Sequence, residues 1–253
     1  MLLFTARAIG AVLERSTHGH RSEIGSENVS SLTTKTLIQS ALFPVVLGLM
    51  LFLSAWTLDY WQAWVYCLIL LAAVMGTSVY LLRNDPALLE RRLKGGESGE
   101  TEQRQRIGQT VAGVLYLTSF IISGLDHRFH WSTVPIYLSL AADVCVALAF
   151  YIVFLVFKEN SYTSSIIEVY TDQQVISTGP YCIVRHPMYM GVELLFFATP
   201  IALGSFWALL LVIPLSIMIV LRLLDEERFL AEHLPGYTDY RQATRYRLIP
   251  FIW

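Results

Sequence analysis

The residues best equipped for chemistry stand in one ordered series within the last two-fifths of the chain. G-P-Y-C-I-V-R-H-P-M-Y-M-G carries Tyr181, Arg185, His186 and Tyr189; Glu193 follows, and R-L-L-D-E-E-R-F-L supplies Arg222 and Glu226. Gly179 followed by Pro180 marks a tight turn. Pro187 suits the first position of a helix, where its missing N–H costs nothing, with His186 at the cap. Such a helix leaves the N–H groups of residues 188–190 without intrahelical acceptors, and together with the helix dipole they favour a carboxylate or phosphate. His186, Tyr189 and Glu193 then fall close to one face. Arg222 and Glu226 are four apart on a later helix. They either pair with each other or divide their labour, a cation for an anionic group and a carboxylate for hydroxyl or amino groups. Each residue also has a plain reading: Arg185 and His186 as boundary markers, Tyr181 and Tyr189 in an interfacial aromatic belt, Glu193 as a buried polar link. Their combination argues against a pure anchor.

The elements that must position these groups are membrane helices. The 253 residues are 55% hydrophobic and 15% charged, with mean hydropathy +0.52; a soluble domain carries about a quarter charged residues. Runs 36–57, 61–82 and 107–125 contain no Asp, Glu, Lys or Arg, and 131–157 is interrupted only by Asp143. Each is near the roughly 20 residues that cross a bilayer. Run 188–221 is too long for one span, about 51 Å as a straight helix, and Pro200, Gly204 and Ser205 near its middle place a turn. The expectation is an all-α integral membrane protein of about six transmembrane helices. The last two form a short helical hairpin, 188–202 and 205–223, beside a cytosol-facing pocket.

Charge placement supports this count. With both termini cytosolic, the inner segments 1–35, 83–106, 158–187 and 222–253 hold 4, 6, 2 and 5 Lys or Arg, which is 17 of 18; Arg128 alone lies outside. A single span over 188–221 would send five arginines outward, against the positive-inside bias. The expected organisation is a mobile N-terminal tail at 1–34, four transmembrane helices within 35–157, and a cytosol-facing region at 158–253 that carries the candidate chemistry and contains the hairpin. Loop 83–106 reads as a solvated connector with a G-G-E-S-G centre and a short surface helix at 86–93. Residues 166–176 read as a strand-like or irregular segment.

A net charge of −2 without a Lys/Arg-rich run argues against a nucleic-acid partner. Cys67, Cys145 and Cys182 are far apart and give neither a disulfide framework nor a zinc signature. His18 with His20, and His127 with His130, have conceivable ligand spacing but read as surface or structural residues; no metal is expected. The N-terminus is too interrupted by Arg7, Glu14 and Arg15 for a signal-peptide core.

G-P-Y-C-I-V-R-H-P-M-Y-M-G, then D-E-E-R-F-L, then G-Y-T-D-Y and Y-R-L-I-P-F-I-W, resemble the isoprenylcysteine carboxyl methyltransferase family over about 158–253. The phospholipid N-methyltransferases are similar in the same region. The resemblance implies an enzyme that transfers methyl groups from S-adenosyl-L-methionine without a Rossmann domain. Matched motif to motif, the cofactor would be held by Gln173, Gln174, Val175, Ile176, Tyr181, His186, Pro187, Met188, Tyr189 and Glu226. Arg222 would face the methyl acceptor, a lipophilic or prenylated molecule such as an isoprenylcysteine carboxylate, reached from among the membrane lipids. A carboxylate needs no general base. A thiol or lipid amine would need a proton acceptor, for which Glu193 and His186 are the candidates, so Arg222 and Glu193 are the expected catalytic residues.

Two other classes compete. An NADPH-dependent membrane reductase would need extra basic residues for the 2′-phosphate, and Arg185 with the arginines of 241–247 would supply them. A channel, transporter or scaffold would draw on Asp143, since intramembrane carboxylates often mark ion paths.

Overall fold

The computed structural model describes residues 26–94, 100–163, 169 and 173–253. The expected tail through residue 25, the G-G-E-S-G centre of the loop, most of the strand-like segment 166–176, and His18 and His20 lie outside the described residues.

Eight α-helices carry the fold among the described residues: α1 Ser26–Ala55, α2 Trp61–Asn84, α3 Pro86–Lys94, α4 Glu100–Phe129, α5 Ile136–Glu159, α6 Pro187–Ala202, α7 Val212–His233 and α8 Tyr237–Ala243. Single 3₁₀ turns occupy Gly179–Cys182 and Trp207–Leu211. The protein is an all-α integral membrane protein. Five stretches, Leu32–Ala55, Trp61–Asn84, Ile107–Phe129, Ile136–Glu159 and Trp207–His233, are long and apolar enough to cross a bilayer. The sixth apolar helix, α6, has 16 residues and a rise of about 24 Å.

Despite its length, α6 runs between the two levels that the longer helices define. At its start Met188 packs on Leu81, Leu88, Leu89 and Phe157, where α2, α3 and α5 meet. At its far end the carbonyl of Leu203 accepts a 2.5 Å hydrogen bond from Tyr60 Oη, at the α1–α2 turn. There the buried Asp126 carboxylate accepts from Ser132 and from Ser205 Oγ, fastening the hairpin to α4.

The turn is placed by Gly204 (φ +75°), a left-handed position that Gly adopts without strain. Pro200 lies inside α6 instead. Only the first arm of the hairpin is short. The second begins as a 3₁₀ turn and continues as α7 to His233, ten residues past the expected boundary at 223. R-L-L-D-E-E-R-F-L contains no helix breaker, and Leu215, Ile219, Leu223 and Glu227 keep one buried face in phase. Likewise α4 begins at Glu100, ahead of the apolar run, because E-T-E-Q-R-Q-R is made of residues that favour a helix. The surface helix expected at 86–93 is α3, where Asp85 Oδ1 accepts from the N–H of Leu88 at 2.9 Å.

Close helix contacts depend on small residues. A Cβ on Gly191 would lie 3.1 Å from the Ala149 carbonyl oxygen, so α5 and α6 touch backbone to backbone. A Cβ on Gly124 would lie 1.8 Å from Ser54 Oγ and 2.8 Å from the Leu51 carbonyl oxygen, which fixes α4 against α1. Such approach is how membrane helices gain packing without a hydrophobic drive. The core also holds a hydroxyl cluster, Tyr66 Oη lying 3.1 Å from Tyr116 Oη and 3.0 Å from Thr199 Oγ1. Tyr137, Val144, Leu148 and Tyr151 of α5 face outward, as a lipid-facing surface requires.

Candidate functional site

The chain between α5 and α6 is folded by local chemistry. Gly179 takes φ +56°, and a Cβ there would lie 2.9 Å from the Glu159 carboxyl carbon. Pro180 is the second residue of the 3₁₀ turn. Asn160 Nδ2 donates to Tyr181 Oη at 3.0 Å, and Tyr240 Oη donates to the Tyr181 carbonyl at 2.8 Å. His186 caps α6 through its backbone, and Pro187 is the first helical residue, as the sequence indicated. Of the three N–H groups expected to be open there, that of Met190 is taken by the His186 carbonyl at 3.1 Å. Met188 and Tyr189 supply the remaining first-turn donors.

The cap, the connecting segment, the end of α7 and α8 enclose a cavity of about 880 Å³, its open mouth included. Gln173, Gln174, Val175, Ile176, Tyr181, His186, Pro187, Met188, Tyr189, Arg222 and Glu226 all line it. Glu193 is not among the lining residues; it sits one turn further along α6 and accepts from Ser216 Oγ at 2.7 Å. Asn160, Tyr237, Tyr240 and Leu234 also line the cavity and were missed. For the last three the signal was present in L-P-G-Y-T-D-Y: Gly236 at φ +82° caps α8 and turns Tyr237 and Tyr240 back toward Val175 and Tyr181. Burial pushes the Tyr240 phenol up to about 12 and raises that of Tyr237 as well, so both stay protonated at neutral pH.

Arg222 and Glu226 meet through a third residue. Arg222 Nε donates to Tyr189 Oη at 2.8 Å, and Tyr189 Oη donates to Glu226 Oε2 at 2.5 Å. One hydroxyl therefore holds a guanidinium and a carboxylate in register across α6 and α7, with the His186 ring stacked at 5.7 Å from that of Tyr189. Charge-assisted bonds of this kind fix geometry as well as adding energy.

Arg185 and His186 are not boundary markers. Both are buried, at 8% and 5% exposure. Arg185 Nε lies 2.6 Å and His186 Nε2 3.4 Å from Glu227 Oε1, while Arg247 Nε lies 2.9 Å from Glu227 Oε2. Arg185 Nη1 donates further to the carbonyls of Arg241 and Thr244, each at 3.3 Å.

No cluster of three His, Cys, Asp or Glu side chains suited to a metal occurs among the described residues. His127 stacks on Tyr60 at 4.0 Å and bonds the Asp59 carbonyl, a structural role. Asp143 is buried, and neither of its carboxylate oxygens has a hydrogen-bond partner among the described residues.

Residues 138–235 match the family model of the phospholipid methyltransferases. No curated protein matches the chain. The matched stretch runs from the start of α5 to the end of α7 and includes the α6 cap, Tyr189, Arg222 and Glu226. It supports a relationship to membrane methyltransferases in the broad sense and does not single out the isoprenylcysteine branch.

Proposed function

We propose that the protein is an S-adenosylmethionine-dependent methyltransferase that works on a lipophilic acceptor drawn from the bilayer, with its cavity and both chain termini on the cytosolic side. One observation carries the reading. The cavity brings a helix cap and a Tyr-linked Arg–Glu pair, both within the matched region, together with the buried rings of Tyr237 and Tyr240, which follow it, at the end of a membrane bundle. The arginine and lysine census supports the orientation.

The residues fit the cofactor. The first-turn N–H groups of Met188 and Tyr189 suit its carboxylate. The Glu226 carboxylate suits its hydroxyl or amino groups, and the rings of Tyr181, Tyr237 and Tyr240 suit a cation. Bound, the cofactor supplies an electrophilic methyl group on a sulfonium. The chain's own part is positioning and exclusion of water. Arg222, fixed by Tyr189, orients an anionic acceptor such as an isoprenylcysteine carboxylate, which needs no base. The family match favours a lipid amine as second acceptor; its proton would pass to His186 or, one turn into the membrane, to Glu193. The reductase reading loses ground, because Arg185 and Arg247 are already committed to Glu227 and are poorly placed to serve a 2′-phosphate.

The test is incubation of the protein in lipid nanodiscs with methyl-labelled S-adenosylmethionine and a panel of prenyl-cysteine carboxylates, lipophilic thiols and phospholipid amines. Label is expected in one lipophilic class, and lost on Arg222→Ala or Glu226→Ala. Full transfer by both variants, or binding of NADPH in preference to S-adenosylmethionine, would overturn the assignment.

A further inference from the structure

Glu227 stands beside Glu226 in sequence but projects from another side of α7. It is 3% exposed, and a carboxylate so deeply buried requires compensation. It meets three basic side chains: Arg185 and His186 on Oε1, both from the turn before α6, and Arg247 on Oε2, from the segment after α8. The two flanking segments are also joined main chain to main chain. The N–H of Arg185 donates to the Tyr246 carbonyl at 2.9 Å and that of His186 to the Arg247 carbonyl at 3.0 Å. Segment 244–253 is itself gathered on the Trp253 carbonyl, which accepts from the N–H groups of Arg247, Leu248 and Ile249, while the Arg247 guanidinium lies 5.3 Å from the Trp253 ring.

We infer that Glu227 is a positioning residue of the candidate site: through Arg247 it uses segment 244–253 as a strap that holds Arg185 and His186, and so sets the α6 cap at the cavity. The inference rests on the methyltransferase reading for the identity of what the cavity binds. Glu227 is not a lining residue, whereas Arg185, His186 and Pro187 are. Its influence must therefore travel through the cap. His186 links the two systems, since its Nε2 faces Glu227 while its ring stacks on Tyr189. The strap then governs the cofactor side of the cavity, and Arg222 on the acceptor side is left in place on α7.

This asymmetry gives the test. Glu227→Gln removes the charge, and Arg247→Gln cuts the strap at a residue that is 30% exposed and outside the cavity. Binding of labelled S-adenosylhomocysteine is measured by equilibrium dialysis in nanodiscs, together with methyl-transfer kinetics. Both variants should weaken cofactor binding and raise the cofactor KM by about tenfold to hundredfold, the usual cost of a misplacement near 1 Å. The acceptor KM and kcat at saturating cofactor should change little, and Arg247→Lys should restore most of the affinity. Should Glu227→Gln fail to fold, Arg247→Gln decides alone. Wild-type binding with equal binding by the variants overturns the inference but not the proposed function. So does an equal fall in kcat and a rise in acceptor KM, which would mark general loosening. A wild type that binds no S-adenosylhomocysteine overturns both.

Discussion

Replacing Tyr189 with Phe isolates the hydroxyl that joins α6 to α7 at the candidate site. The ring and its stacking on His186 remain, while two bonds vanish: the donation to Glu226 and the acceptance from Arg222. Hydrogen bonds to charged partners contribute about 1.5–3 kcal/mol each, so the gross loss is about 3–6 kcal/mol. Much of it is recovered, because Arg222 and Glu226 are four apart on one helix and can turn toward each other. That recovery is what damages function: a directly paired Arg222 no longer points to the acceptor, and a directly paired Glu226 no longer serves the cofactor. The expected result is a fall in kcat/KM of about tenfold to hundredfold, equal to about 1.4–2.7 kcal/mol of transition-state stabilisation. The fall should include a higher acceptor KM, with a melting temperature close to that of the wild type. The assay is labelled methyl transfer in nanodiscs at varied acceptor concentration, with thermal unfolding alongside. Wild-type kinetics, or a loss traceable wholly to unfolding, would refute the claim that this hydroxyl keeps the two charges apart.

Other outcomes follow from the same geometry. Gly124→Ala should lower the melting temperature in detergent by several degrees, since its Cβ would lie 2.8 Å from the Leu51 carbonyl oxygen, and backbone cannot rotate away. A membrane-impermeant thiol reagent should label the exposed Cys182 in inside-out vesicles and not in right-side-out ones; the reverse would invert the proposed orientation. Glu193→Gln should leave S-adenosylhomocysteine binding within about twofold, well under one decade or 1.4 kcal/mol, because Glu193 lies outside the cavity lining. Transfer to an amine acceptor, if that is the substrate class, should fall. A large loss of cofactor affinity would contradict its placement beside Ser216.

The spanning helices were legible because they rest on long runs of one kind of residue. The start of α6 was legible because Pro187 has few other places in a helix to be. Every residue expected to hold the cofactor lines one cavity. Glu193, expected from its i, i+7 spacing to act beside Tyr189, lies on α6 one turn beyond the cavity lining, where it bonds Ser216. Tyr237 and Tyr240 stood in a readable turn motif, but their place on the cavity depends on how α8 folds back; Asn160 escaped notice because its bond to Tyr181 is a contact that no local pattern encodes. Glu227 was hidden beside Glu226, since adjacent helical residues point about 100° apart and only one can face the cavity. Its phase with Leu215, Ile219 and Leu223 was a readable sign of burial, and a buried Glu calls for cations. The early start of α4 and the length of α7 were missed for a simpler reason, that an apolar run marks where a helix meets lipid and not where it ends.

The brevity of α6 has a consequence for the membrane around the protein. Its neighbours have 22 residues or more, enough to tilt, whereas 16 residues offer little slack. A helix shorter than the hydrocarbon layer forces the bilayer to thin beside it or the helix to shift along its axis. In α6 the far end is tethered by Tyr60 and Ser205, so any shift is delivered to the end that bears the cap. Under the proposed function, bilayer thickness thereby becomes an input to the cavity, and acyl-chain length in the host vesicle a dial on turnover.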